Sequence, residues 1–237
     1  MVSIAVVGSR GYVGRALVNA LRLRADVDVT PVSREQYDAA STAHYDVVVN
    51  AAMPSARFKA RNEPLWDFDA TVGVTAQLRY RWSYGKLVQI SSVSARCQLD
   101  TVYGRHKELA ERLCGSDDLI VRLAPLYSED LAKGVLADMA NGRPVWADGA
   151  SRYAFVSRDW AADWLAANLL ARTGMVEIGG RDAIALGEVA DRLGLATEFR
   201  GDLDHQEITE PEPGFPTAAE VLPFMRAWLD RPAATAR

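Results

Sequence analysis

The sequence predicts an α/β fold, a doubly wound parallel sheet followed by a small C-terminal region. Three features predict it. Short apolar runs of strand length recur through the first half of the chain. Stretches with apolar residues at helical spacing separate them, as the crossovers of a parallel sheet require. A glycine-rich turn joins the first run to the first helical stretch.

Val2 to Val7 is apolar and ends in glycine, which reads as a buried strand. Apolar residues then recur at Val13, Ala16, Leu17, Ala20 and Leu21, so Tyr12 to Leu23 reads as a helix. Val27 to Val32 is a second strand, and Asp46 to Asn50 a third, closed by Ala51-Ala52. Residues 64 to 82 show helical periodicity through Leu65, Phe68, Val72, Ala76 and Tyr80. Leu87 to Ile90 is a fourth strand and ends at Ser91-Ser92. A helix over 102–114 and a strand at Leu119–Leu123, stopped by Pro125, complete the regular part. Beyond it the pattern is mixed, with helices expected over 158–172, 186–194 and 217–229. The expected organisation is a nucleotide-binding core over 1–125, with a return near 155–180, and a mixed α/β substrate-binding region over 126–237 interleaved with it.

At 237 residues the chain can bury a real core. Its net charge of −4 leaves no electrostatic footprint for nucleic acid. Cys97 and Cys114 are too few for a disulfide framework, and His44, His106 and His205 lack metal-ligand spacing, so no metal is expected. No apolar run is long enough to span a membrane, and the N-terminus opens into a strand rather than a leader. A cytoplasmic protein that acts on a small molecule is the expectation, without nucleic-acid or membrane partners.

Glycines 8, 11 and 14 permit a tight turn and let the backbone approach a pyrophosphate at the N-terminus of the next helix. The spacing is G-x-x-G-x-x-G rather than G-x-G-x-x-G. Placed between strand and helix, it marks a Rossmann-type dinucleotide site. At the end of the second strand a carboxylate would bind the ribose diol of NAD, whereas arginine accommodates the 2′-phosphate of NADP. Here stand Ser33-Arg34, with Arg10 inside the glycine turn and Asp38 taken as the nearest acid. NADP(H) is therefore expected in preference to NAD. The alternative is that both arginines are solvated surface residues.

Tyr103 and Lys107 stand four residues apart, on one face of a helix. The chain has only four lysines, which makes this coincidence informative. A cation beside a phenol stabilises the phenolate and brings it toward working pH. Gly8, Asn50 and Ser92 all fall at the carboxyl ends of expected strands, the rim where such sheets bind ligands. Nucleotide loop, hydroxyl and Tyr-x-x-x-Lys together point to nicotinamide-dependent carbonyl chemistry.

Gly8-x-x-Gly11-x-x-Gly14, Asp46-Val-Val-Val-Asn50-Ala51-Ala52, Ile90-Ser91-Ser92 and Tyr103-Gly104-Arg105-His106-Lys107 resemble the extended short-chain dehydrogenase/reductases. The Asn-Ala-Ala turn and the tyrosine run look most like the dTDP-4-dehydrorhamnose reductases. Arg152 to Asp159, Val176 to Gly180 and Leu186 onward also fit, so the resemblance covers about residues 1 to 195. It implies Tyr103 as proton donor in reduction, Lys107 as the group that lowers the tyrosine pKa and holds the nicotinamide ribose, and Ser92 as donor to the substrate oxygen. Ser92 is chosen over Ser91 because the family hydroxyl falls at the second place. Cofactor contacts are expected from Gly8, Ser9, Arg10, Gly11, Tyr12, Val13 and Gly14, from Ser33 and Arg34, from Asn50, Ala51 and Ala52, and from Tyr103 and Lys107. Substrate contacts are expected from Ser92, Ser94 and Arg152. Arg152 resembles an arginine that holds a nucleotide diphosphate; a salt bridge with Asp148 or Asp159 is the competing reading. Asp159 reads as a helix cap, and Trp146, Tyr153, Trp160 and Trp164 as core.

The chain also departs from the family. Only ten residues separate Ser92 from Tyr103, where the family has a longer loop. Val93-Ser94 replaces the Asp-Glu pair of sugar-nucleotide dehydratases, which argues against water elimination. His106 stands where serine is common, and nothing near it in sequence suggests a role. The resemblance implies a keto-sugar-nucleotide reductase. An epimerase that recycles its cofactor and a non-catalytic NADP-binding sensor are the alternatives. The superfamily often forms homodimers through helices flanking the tyrosine helix, and the oligomeric state of this chain stays open.

Overall fold

The computed structural model describes residues 1–231. They divide into two compact units, Met1–Leu123 with Arg158–Glu177, and Ala124–Ser157 with Ile178 onward.

The first unit is built on parallel strands β1 (Val2–Val7), β2 (Val27–Val32), β3 (His44–Asn50), β4 (Ser83–Ser92) and β5 (Leu119–Leu123), in the order β2-β1-β3-β4-β5. The strand Gly174–Ile178 extends the sheet beyond β5. Apolar residues fill the middle of β1 and β3 and the Leu87–Ile90 part of β4 because helices cover both faces of such a sheet. Ile4, Val48, Val49, Leu87 and Val88 are accordingly fully buried.

Helix α1 (Tyr12–Arg22) buries Ala16, Leu17, Ala20 and Leu21 of the stripe read from the sequence, and Val18 besides, while Val13 is half-buried. The strand β4 begins earlier than expected, at Ser83, because its alternating exposed start carries no apolar signal. The stretch 64–82 is helical, as its periodicity predicts, but not α-helical throughout. Pro64–Phe68 and Val74–Arg81 are α-helical, and Asp69–Gly73 between them is π-helical. The tyrosine helix runs Val102–Glu111, shorter than expected.

The second unit has its own core, in which Tyr127, Leu136, Val145, Tyr153, Phe155, Leu186, Val189, Val221 and Met225 are buried. Short strands at Arg152–Tyr153 and Ile184–Ala185 pair antiparallel within it, and helices Leu186–Leu193 and Val221–Leu229 pack together. Of the four aromatics expected in cores, Trp146 departs, being 73% exposed. No helix among the described residues is long and apolar enough to cross a membrane, and no cluster of metal-ligating side chains occurs among them.

Candidate active site

The glycine turn is held by its neighbours. Gly8 and Ser9 donate their N–H groups to Val32 O at 3.0 and 3.2 Å, which ties the end of β1 to the end of β2. Gly8 has φ +84°, a conformation open to glycine, and a Cβ there would lie 2.6 Å from Ala52 Cα. A Cβ on Gly14 would run into Gly8 O. The Asn50-Ala51-Ala52 turn therefore packs directly on the glycine turn. Asn50 is fully buried and fixes that turn. Its amide donates to Thr75 Oγ1 (3.2 Å) and Gln89 Oε1 (3.0 Å), and its Oδ1 accepts from Ala52 N–H (3.2 Å).

Gly11 caps α1 with no side-chain hydrogen bond, so the first-turn N–H groups face the turn without a side-chain acceptor at the cap. Tyr12 lies beneath Arg158, whose guanidinium is 4.8 Å from its ring, and Val13 is half-buried beside it. These features fit a dinucleotide: a backbone too tight for side chains and a helix N-terminus aimed at it.

At the β2 end an open groove of about 330 Å³ is lined by Ser9, Arg10, Arg15, Arg22, Pro31 and Gln36. Arg34 is exposed in the turn Arg34–Gln36. The nearest acid is not Asp38 but Glu35, two residues after Ser33. Its carboxylate accepts from Ser33 Oγ (2.6 Å) and from Arg10 Nη1 (3.1 Å). The Ser33 hydroxyl, above all, holds Glu35 below the ordinary carboxylate range. This corner thus carries arginines and a carboxylate together, and the Glu35 signal was the next letter after Arg34.

The catalytic candidates meet at the end of β4. Thr101 caps the tyrosine helix, its Oγ1 accepting from Gly104 N–H at 3.0 Å. Gly104 lets that helix sit close on the turn before it, since a Cβ would strike Gln98 O and Ser94 O. Tyr103 is thereby directed toward Ser92, whose hydroxyl favours the phenolate. Lys107 Nζ lies 5.1 Å from the Tyr103 ring centroid. Ser91 faces elsewhere: its hydroxyl donates to Glu111 Oε1 at 2.6 Å, and Glu111 also binds Arg122. The choice between the two serines thus follows from the pleat, which sends adjacent side chains to opposite faces.

Burial dominates the electrostatics of the pair. Lys107 is 3% exposed, and loss of hydration lowers its pKa to about 7, against the pull of Asp67 and Glu111. Burial pushes the Tyr103 phenol above its usual value, while Arg57 and the Ser92 hydroxyl pull it back. The expectation was a phenol lowered by Lys107; in the fold burial outweighs the nearby charges and leaves it raised.

Two residues at this site had no sequence signal. Arg57, on the helix Arg57–Asn62, lies 6.0 Å from the Tyr103 ring centroid and donates to Ser94 Oγ at 3.3 Å. Ser94 is fully buried, its hydroxyl 3.2 Å from Ser92 Oγ. Asp67 is fully buried and meets His106 Nδ1 at 2.8 Å, which gives His106 the partner its sequence neighbours do not.

Arg152 belongs to the second unit. Its guanidinium donates to Glu207 Oε1 (2.8 Å) and Ala183 O (2.7 Å), rather than to Asp148 or Asp159. Asp159 lies inside the first turn of the helix Arg158–Asn168, bound by Arg158 at 2.8 Å, so it is not the cap.

No family model matches the chain, and no curated protein does. Solved structures do. A UDP-N-acetylglucosamine 4-epimerase from Methanobrevibacter ruminantium M1, in complex with UDP-N-acetylmuramic acid, aligns with a TM-score of 0.74 at 14% identity, covering 96% of this chain and 97% of its own. A UDP-galactose 4-epimerase aligns at 0.71 and 21% identity, covering 94% and 97%. A dTDP-4-dehydrorhamnose reductase from Clostridium acetobutylicum aligns at 0.71 and 14% identity, covering 96% and 98%. The chain therefore has the fold of the extended short-chain dehydrogenase/reductases, the architecture that the sequence resemblance implied.

Proposed function

We propose that this protein is an NADP(H)-dependent reductase of a carbonyl group on a nucleotide-linked sugar, with the first unit holding the cofactor and the catalytic residues. The observation that carries the reading is the meeting of Ser92, Tyr103 and Lys107 at the end of β4, in the same sheet whose β1 end bears the glycine turn. A nicotinamide cofactor supplies the hydride in this chemistry. Tyr103 gives its phenolic proton to the carbonyl oxygen as the hydride arrives, and Ser92 donates a hydrogen bond to the same oxygen. Lys107 orients the cofactor ribose and offsets the phenolate charge. Gly8, Gly11 and Gly14 admit the pyrophosphate, Arg10 and Arg34 the 2′-phosphate, and the Asn50-Ala51-Ala52 turn supports the adjoining wall. Arg152 holds the sugar-nucleotide diphosphate on exchange from Glu207.

The likeness to 4-epimerases supports a second reading, in which bound cofactor is recycled without net consumption. Titration with NADPH and NADH, followed by a panel of keto-sugar nucleotides read at the nicotinamide absorbance, tests both. Stoichiometric NADPH consumption supports the reductase. Sugar conversion with no net NADPH loss establishes the epimerase instead, and binding of neither dinucleotide removes both.

A further inference from the structure

We propose that Arg57 is the permanent cation of the Tyr103 site, a positioning residue that holds the phenol ready to release its proton. The proposal rests on Tyr103 acting as the proton donor. Two geometric relationships carry it. Arg57 Nη2 donates to Ser94 Oγ (3.3 Å), and the Ser94 and Ser92 hydroxyls are 3.2 Å apart, with Ser92 acting on the Tyr103 phenol. The guanidinium also sits 6.0 Å from the tyrosine ring centroid. Guanidinium and hydroxyls thus form one chain that ends on Ser92, with the guanidinium itself beside the tyrosine ring.

The charged and titratable groups facing Tyr103 come from three helices. Arg57 approaches from the helix Arg57–Asn62, and Asp67 from the helix Pro64–Phe68. Lys107 and His106 lie on the tyrosine helix itself, with Glu111 one turn beyond Lys107. The end of β4 contributes only the neutral Ser92, and Ser94 follows it. Asp67 disfavours the phenolate; Arg57 favours it. Lys107 is a conditional cation, because its buried amine changes charge near neutral pH. A guanidinium keeps its charge wherever the fold survives. Without Arg57, the buried carboxylate of Asp67 would dominate the site whenever Lys107 is neutral. Arg57 therefore supplies a charge that the tyrosine–lysine pair, buried as deeply as it is, does not supply at every pH.

The test places 3,5-difluorotyrosine at position 103, where fluorination lowers the phenol pKa into the range where the fold is stable, and follows its ¹⁹F resonance against pH. It needs neither cofactor nor substrate. Arg57→Gln is expected to raise the titration midpoint by about one pH unit, with Arg57→Lys recovering at least half of that rise and the melting temperature unchanged in both. Arg57 is exposed, so either replacement leaves the core intact. An unchanged midpoint in Arg57→Gln would overturn the proposal, as would an equal rise in Arg57→Lys, since the claim concerns charge. NADPH titration of the same proteins reports on the reductase separately. A phenol that answers to Arg57 in a protein that binds no NADPH would support the coupling and sink the reductase.

Discussion

Asp67 and His106 form a pair inside the first unit, Oδ2 to Nδ1 at 2.8 Å, with Phe68 edge-on to the imidazole. The other carboxylate oxygen of Asp67 is buried with no hydrogen-bond partner among the described residues. His106 is thus the one group seen to offset a fully buried carboxylate by direct contact. Removing it by His106→Ala is expected to cost about 3 kcal/mol, because a buried charge is left unpaired. Asp67→Asn in the same chain should restore part of that loss. Urea unfolding of the two single variants and the double variant measures the coupling, and simple additivity would show that the contact carries no energy.

Tyr103→Phe keeps the ring and removes the phenol. Turnover is expected to fall at least about 100-fold, the usual range for a lost general acid. NADPH affinity should stay close to native. Equal activity in the variant would take Tyr103 out of the mechanism.

Lys107 makes stability depend on pH in a defined sense. Its pKa is about 7 in the fold, against 10.5 for an ordinary lysine. Between these values the unfolded chain binds a proton that the folded chain does not, so stability from this group rises as pH increases from about 7 toward 10.5. Below pH 7 both states are protonated, and the penalty of burying the charge is fully present. Relative to Lys107→Met, the native protein should therefore gain in denaturant midpoint across that window. A constant difference would mean that the amine is not desolvated.

If the cofactor's adenosine ribose lies at the β2 corner, as the NADP(H) proposal has it, Glu35 opposes a 2′-phosphate there and Arg10 attracts one. Glu35→Gln frees Arg10 from its 3.1 Å partner and removes the repulsive charge. The ratio of NADPH to NADH affinity is expected to rise roughly tenfold. Fluorescence titration with both dinucleotides checks it, and a fall in the ratio would place the ribose elsewhere.

Gly14→Ala inserts a methyl group against Gly8 O, where neither backbone can give way freely. A loss of about 2 kcal/mol in stability is expected from overpacking, together with weakened NADPH binding. Native dinucleotide affinity in this variant would exclude the turn as the phosphate site.

The strands of the first unit were legible because the inner part of the sheet is buried on both faces and reads as apolar runs, such as Val47–Val49 and Leu87–Ile90; Val2–Val7 and Leu119–Leu123 are found at their expected bounds. The glycine turn was legible for a similar reason, since Gly8 and Gly14 stand where no side chain fits. Short elements of the second unit, such as Arg152–Tyr153 and Ile184–Ala185, have too few residues to show a period. They form because Tyr153, Ile184 and Leu186 share a core that exists only once the chain is folded.

The sequence by itself determined the alternation of strands and helices, the glycine turn and the four-residue tyrosine–lysine spacing, because each is a local pattern dictated by backbone geometry. Tertiary structure decided what surrounds them. It brought Arg57 and Asp67 to Tyr103 from helices some forty residues away in the chain, turned Ser91 toward Glu111, and set Glu35 on Arg10. It also stripped the water from Lys107. Charge and hydration depend on distance in space, and a chain read in order records distance only along itself.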